Sequence, residues 1–97
     1  MTVMTERVLA LRKRAAIETY RARRTAFFKA AEAADAAFLR WFTKRQNGEP
    51  TNAAAATRLA NLTSYASADL AVAEGALYAL DIDSRDVDRE DGVEVVQ

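Results

Sequence analysis

The sequence predicts an all-α protein: a long antiparallel helical hairpin of coiled-coil-like type, with a flexible acidic C-terminal tail, that assembles into a helical bundle. Three observations lead to this fold class. No Gly or Pro occurs between Thr5 and Gln46, a single short break follows, and apolar residues recur at three- and four-residue intervals on both sides of that break. We therefore divide the chain into a hairpin over residues 1–81 and an acidic tail over residues 82–97.

The first helix is predicted over residues 5–46. Thr5 suits the N-terminal cap, and Glu6 places a carboxylate at the positive end of the helix dipole. At the other end, Asn47-Gly48 supplies the left-handed residue of a C-terminal cap. A helix of this length is roughly 60 Å long at 1.5 Å per residue. Such a length is unusual for a compact domain and normal for a coiled coil or a bundle.

The second helix is predicted over residues 51–80, after a turn at 47–50. Pro50 suits the first position of a helix, and Thr51 or Asn52 could cap it instead. Because the connection is so short, the two helices must turn back on one another as an antiparallel pair.

The predicted hairpin core consists of large apolar residues at heptad positions, with Ala in the gaps. Its members are Ile17, Tyr20, Phe27, Phe38 and Trp41 on the first helix, and Leu59, Leu62, Leu70, Leu77 and Leu80 on the second. Phe28, Leu39 and Phe42 are expected to widen the first of these stripes. Aromatic residues facing Leu and Ala give the complementary sizes that dense packing needs.

The second helix carries a further apolar strip away from this core. Between Pro50 and Leu80 its only charged residues are Arg58, Asp69 and Glu74. We call the strip the outer strip, and it consists of Tyr65, Ala68, Val72, Ala76 and Ala79. A surface helix normally gives one whole face to charged residues. The strip therefore predicts a self-association interface, although an Ala-rich face that is simply exposed to water is the plainer alternative.

The chain has no net charge, yet its two halves are oppositely charged. Residues 1–48 hold 11 basic and 4 acidic residues, a charge of +7, whereas residues 49–97 hold 3 and 10, a charge of −7. If the tail continues alongside the N-terminal end of the first helix, its acids lie against Arg7, Arg12, Lys13 and Arg14. The default function of such a tail is to solubilise the chain or to attract a partner.

Composition excludes several kinds of chemistry. The sequence contains no His and no Cys, so no Cys or Ser-His nucleophile, no zinc site of the usual nitrogen and sulfur ligands and no disulfide is expected. The acids of the tail do not match a calcium loop, because Asp86 stands where Gly is needed and Gly92 where a bidentate Glu is needed. We expect no enzyme, no cofactor and no metal.

The preferred function is that of a non-enzymatic assembly or adaptor protein, a homo-oligomer that also binds a protein partner. The excess of Arg over Lys, 11 to 3, hints at a GC-rich genome and at a phage or bacterial structural component. Without an apolar segment of membrane-spanning length, we expect a cytoplasmic protein, or a virion protein if a phage encodes it, and no membrane partner.

The alternative is a nucleic-acid-associated protein that uses a basic segment of the first helix. We call this segment the basic collar, and it consists of Arg7, Arg12, Lys13, Arg14, Arg21, Arg23 and Arg24. On a helical wheel these side chains point in several directions, which is more typical of a solvated helix than of one that reads a DNA groove.

Overall fold

The structure, a computed structural model, describes the backbone of residues 3–94 and the side chains of residues 5–94. It is helical, with no strand among these residues, and has three helices: α1 over Val3–Gln46, α2 over Ala54–Tyr78 and α3 over Ser84–Glu90. The long α1 packs against α2, which confirms the predicted helical hairpin. The molecule is an elongated rod, with principal extents of 69 × 22 × 16 Å.

The end of α1 follows from the local sequence. Gly48 adopts the left-handed conformation with φ of 72°. The backbone N–H of Glu49 donates to the Lys44 carbonyl at 3.0 Å, and that of Gly48 donates to the Arg45 carbonyl at 3.2 Å. These bonds satisfy carbonyl groups that the last helical turn would otherwise leave without a partner.

The second helix begins three residues later than predicted. Pro50 lies in the connection rather than in the first turn, and α2 starts at Ala54. The reason is local, because the Asn52 side-chain carbonyl accepts a hydrogen bond at 2.9 Å from the backbone N–H of Ala54. This bond holds residues 52–54 in an Asx turn ahead of the helix.

The core lies where α1, α2 and α3 meet, at the end of the hairpin away from the turn. Tyr20, Ala73, Leu77 and Val87 are buried together, with Ile17 and Leu70 partly buried against them. Leu77 is 0% exposed. Phe27 and Trp41 on α1, Leu59 on α2 and Leu80 in the turn just after α2 are also partly buried.

Two predicted core positions are wrong. Phe38 and Leu62 are 53% and 51% exposed, and their neighbours Ala37 and Thr63 take the inward positions. Ala37 is 5% exposed, and because successive residues of a helix are about 100° apart, the adjacent Phe38 side chain lies outside. Thr63 can face inward because its hydroxyl donates to the Leu59 carbonyl of the same helix at 2.9 Å.

The segment predicted as a flexible tail contains α3. After Tyr78 the chain turns at Asp81, which has a φ of 60°, and the Asp83 side chain then caps α3 by accepting a bond from the Arg85 backbone N–H at 2.9 Å. Val87 is buried. Because of the turn at Asp81, α3 runs back along the hairpin instead of continuing beside the N-terminal end of α1.

Candidate functional site

The outer strip of α2 is exposed along its whole length. Tyr65 and Val72 are 70% and 75% exposed, and the three alanines of the strip are exposed as well. α3 leaves these residues uncovered, since it packs over Tyr20, Ala73 and Leu77 instead. The strip is therefore an apolar surface available to another molecule, flanked by the exposed charges of Arg58 and Asp69.

Exposed aromatic residues form a second apolar surface on α1, which we call the aromatic edge. Its members are Phe28, Phe38, Leu39 and Phe42. The rings of Phe38 and Phe42 stack with their centroids 6.0 Å apart, and Phe38 also lies 5.8 Å from Trp41. Their apolar character predicts a place in or beside the hairpin core, but the structure has them exposed to solvent. Phe38 and Leu39 precede Phe42 by four and three residues, and this spacing beside the core stripe was the available signal.

The structure divides the basic collar into two groups. Arg21 and Arg24 form ion pairs with residues of the acidic segment. Arg7, Arg12, Arg14 and Arg23 are exposed and form no ion pair among the described side chains, and Lys13 is partly buried. The predicted contact between the tail and Arg7, Arg12, Lys13 and Arg14 is wrong in position. The acids pair instead with Arg21 and Arg24, about two to five helical turns further along α1, because α3 folds back at Asp81.

The paired group is a compact cluster around Arg24, which we call the Arg24 cluster. The two terminal nitrogens of Arg24 donate to Asp88 Oδ1 and to Asp91 Oδ2, each at 2.6 Å. Arg21 donates two bonds of 2.9 Å to the same Asp91 carboxylate. The Tyr20 hydroxyl donates to Asp88 Oδ1 at 2.9 Å. Arg24 is only 9% exposed, whereas the Arg21 side chain is 41% exposed and Asp91 lies at the surface, so the cluster joins α3 to α1 through one buried guanidinium and its more exposed partners.

The environment of the cluster changes how its members titrate. Burial, reinforced by the hydrogen bond to Asp88, raises the pKa of Tyr20 to about 12. The hydrogen bonds that Asp91 accepts from Arg21 and Arg24 lower the pKa of its carboxyl group below the ordinary value. These shifts describe groups that are held in one protonation state at neutral pH, which is typical of a structural ion-pair network.

One concave surface lies beside the hairpin turn. An open cleft of about 360 Å³ is lined by Trp41, Arg40, Lys44, Pro50 and Asn52, among others. It contains two cations and an aromatic ring but no carboxylate that could serve as an acid or base. Among the described residues, no three or more carboxylates converge as a metal site would require.

Compared with known proteins, the chain matches no family model, no curated protein and no solved structure. Within residues 3–94, no helix combines the length and the apolar character needed to span a membrane. The class of the molecule is thus defined by its architecture, a helical hairpin with a short third helix docked by the Arg24 cluster.

Proposed function

We propose that the protein is a non-enzymatic helical assembly or adaptor protein that self-associates through the outer strip of α2 and also binds a protein partner. The observation that carries the proposal is the exposure of the strip, in which Tyr65 and Val72 are 70% and 75% exposed. Large apolar side chains grouped on one face of a small domain are a common mark of a protein–protein interface.

The small size of the core supports the proposal. The buried hydrophobic residues are Tyr20, Ala37, Ala73, Leu77 and Val87 among the described residues, and two of these are alanines. A chain of 97 residues with so little buried apolar surface gains stability when a partner covers more of it. The aromatic edge offers a second surface for that purpose and is the candidate site for the protein partner.

To test the proposal, a charged side chain is introduced into the outer strip and the mass of the protein in solution is measured. Ala76→Asp places a carboxylate within the strip, whereas Ala71→Asp places the same carboxylate on the same helix outside it, and both positions are exposed. Sedimentation equilibrium of the wild type should show concentration-dependent association. We expect Ala76→Asp to weaken that association at least tenfold and Ala71→Asp to leave it unchanged. Equal behaviour of the two variants would contradict the proposed interface.

The second candidate function is association with nucleic acid through the exposed part of the basic collar. The observation that favours it is that Arg7, Arg12, Arg14 and Arg23 form no ion pair among residues 5–94. Binding of this kind weakens steeply as salt rises, because it releases counterions. Replacing Arg12 and Arg14 by Glu should then abolish binding to a DNA duplex at low salt. If the wild type binds no duplex at low salt, this candidate is excluded.

A further inference from the structure

The cleft beside the hairpin turn carries positive charge that the hairpin itself does not compensate. Arg40 and Lys44 are four residues apart on α1, so their side chains are neighbours on one wall of the cleft. Both residues are exposed, and neither forms an ion pair among the described side chains. No Asp or Glu is among the residues that line the cleft. The cleft is therefore suited to an anion.

An aromatic ring lies beside these two cations. Trp41 is partly buried and lines the same cleft. The guanidinium of Arg45 lies 5.4 Å from the centre of the Trp41 ring, and the Phe38 ring lies 5.8 Å from it. Neither Arg45 nor Phe38 lines the cleft, so both contact the ring from outside and part of the indole still faces the cleft. A ring held in this way can stack on a planar ligand.

The facing wall leaves room for such a ligand. It is formed by the connection and the start of α2, where Ala55 and Ala56 contribute only methyl groups. Ala37 of α1, which also lines the cleft, is equally small. The volume of about 360 Å³ lies at the lower end of the range of about 300–1,000 Å³ that is typical of small-molecule sites. The space therefore suits one small ligand and is too small for a partner helix.

We infer that this cleft binds a nucleotide, with the phosphate on Arg40 and Lys44 and the base against Trp41. A phosphate monoester carries about −1.5 to −2 charges at neutral pH, which matches two uncompensated cations better than the single charge of a carboxylate does. The planar guanidinium can donate two parallel hydrogen bonds to phosphate oxygens, and the ammonium adds a point charge. The indole provides the surface on which the attached base stacks.

The cleft is separate from the surfaces assigned to other functions. It lies at the turn end of the hairpin, whereas the Arg24 cluster lies towards the other end. No residue of the outer strip, the aromatic edge or the basic collar lines it. Nucleotide binding and self-association can therefore be tested independently. The nucleotide can be free in solution or one unit of a single strand, because the phosphate and the base are the same in both.

Trp41 is the only tryptophan of the chain, so its fluorescence reports directly on occupancy of the cleft. Thymidine monophosphate, thymidine and inorganic phosphate are titrated separately into the wild-type protein. We expect saturable quenching by thymidine monophosphate, with a dissociation constant at least tenfold below that of either half alone. A single-stranded oligothymidylate identifies the source of the ligand. Binding at least tenfold tighter per site than the mononucleotide indicates a strand, and equal binding indicates a free nucleotide.

A matched pair of charge variants locates the phosphate. Arg40→Gln combined with Lys44→Gln removes both cations of the cleft. The control combines Lys29→Gln with Arg58→Gln, which removes the same charge from exposed positions outside the cleft. We expect the first pair to raise the dissociation constant of thymidine monophosphate at least tenfold and the control to change it less than twofold. Circular dichroism checks that all variants keep the helical content of the wild type.

A second pair of variants tests the space itself. Ala55→Leu narrows the cleft without changing its charge, and Ala60→Leu makes the same change at an exposed position outside it. We expect Ala55→Leu to weaken binding at least fivefold and Ala60→Leu to leave it unchanged. The inference is overturned if thymidine monophosphate gives no saturable quenching, if inorganic phosphate binds as tightly, or if either variant pair behaves alike. None of these outcomes bears on self-association, which the mass of Ala76→Asp tests.

Discussion

Replacing Arg24 by Met should undock α3 without unfolding the hairpin. Arg24 makes two charge-assisted hydrogen bonds of 2.6 Å, to Asp88 and to Asp91, and is only 9% exposed. Met keeps most of the aliphatic length of the side chain and removes the guanidinium, so the change isolates the polar contribution from the packing contribution.

The magnitude follows from what remains bonded after the substitution. Removing one partner of a buried ion pair costs about 3–5 kcal/mol when the other charge is left uncompensated. Here Asp88 keeps the hydroxyl of Tyr20, and Asp91 keeps two bonds from Arg21. We therefore expect a smaller loss of about 2 kcal/mol, which is roughly a 30-fold increase in the opening equilibrium of α3.

Amide hydrogen exchange across residues 84–90 measures this opening directly. The matched control is Arg23→Met, since Arg23 is the adjacent residue, is exposed and forms no ion pair among the described side chains. The control should change the free energy of opening of α3, measured by exchange, by less than about 0.5 kcal/mol. If the amides of α3 are equally protected from exchange in Arg24→Met and in Arg23→Met, the Arg24 cluster does not hold α3 against the hairpin.

Three further predictions concern the core and its titration. Leu77→Ala should lower the free energy of unfolding by about 2–5 kcal/mol in urea denaturation, because Leu77 is 0% exposed. The exposed Leu62→Ala should lower it by less than about 1 kcal/mol, and similar losses for the two variants would contradict the placement of the core. The pKa of Tyr20 is raised from 10.0 to about 12, so the free energy of unfolding should fall by about 2 kcal/mol as pH rises from 10 to 12. A Tyr20→Phe variant that showed the same fall would disprove that Tyr20 causes it. Hydrogen bonds from Arg85 lower the pKa of Asp83 from 3.8 to about 2, and those from Arg21 and Arg24 lower the pKa of Asp91. The stability that these two carboxylates add to the folded state should be complete above about pH 4 and lost as pH falls toward 2. Circular dichroism should follow this loss, and an Asp83→Asn variant with an unchanged acid transition would count against it.

The hairpin could be predicted from the sequence because its signals are local. The stretch without Gly or Pro and the Asn47-Gly48 pair determine where α1 ends, and the structure places that end at Gln46. The core positions are harder to predict, because hydrophobic periodicity favours the larger apolar residue wherever two neighbours compete. Ala37 and Thr63 take the inward positions at two places, and the Thr63 hydroxyl can do so because it is bonded to the Leu59 carbonyl of its own helix.

The third helix is not predicted by composition, because an acid-rich segment with few large apolar residues is typical of a disordered tail. A local signal was present, with Asp83 as an N-terminal cap and Gly92 as a left-handed residue of φ 73° just past the end. The pairing with Arg21 and Arg24 could not be predicted, because it depends on the reversal of the chain at Asp81. Non-glycine residues seldom adopt a positive φ, and propensity alone does not indicate where one will.

The most direct test of self-association is the mass of the wild-type protein in solution. Sedimentation equilibrium at micromolar concentrations should give a mass well above the 10.7 kDa of a single chain, falling toward that value on dilution. The same measurement on Ala76→Asp should give the single-chain mass at concentrations where Ala71→Asp still associates. A wild-type mass of 10.7 kDa over the whole concentration range would contradict the proposed assembly.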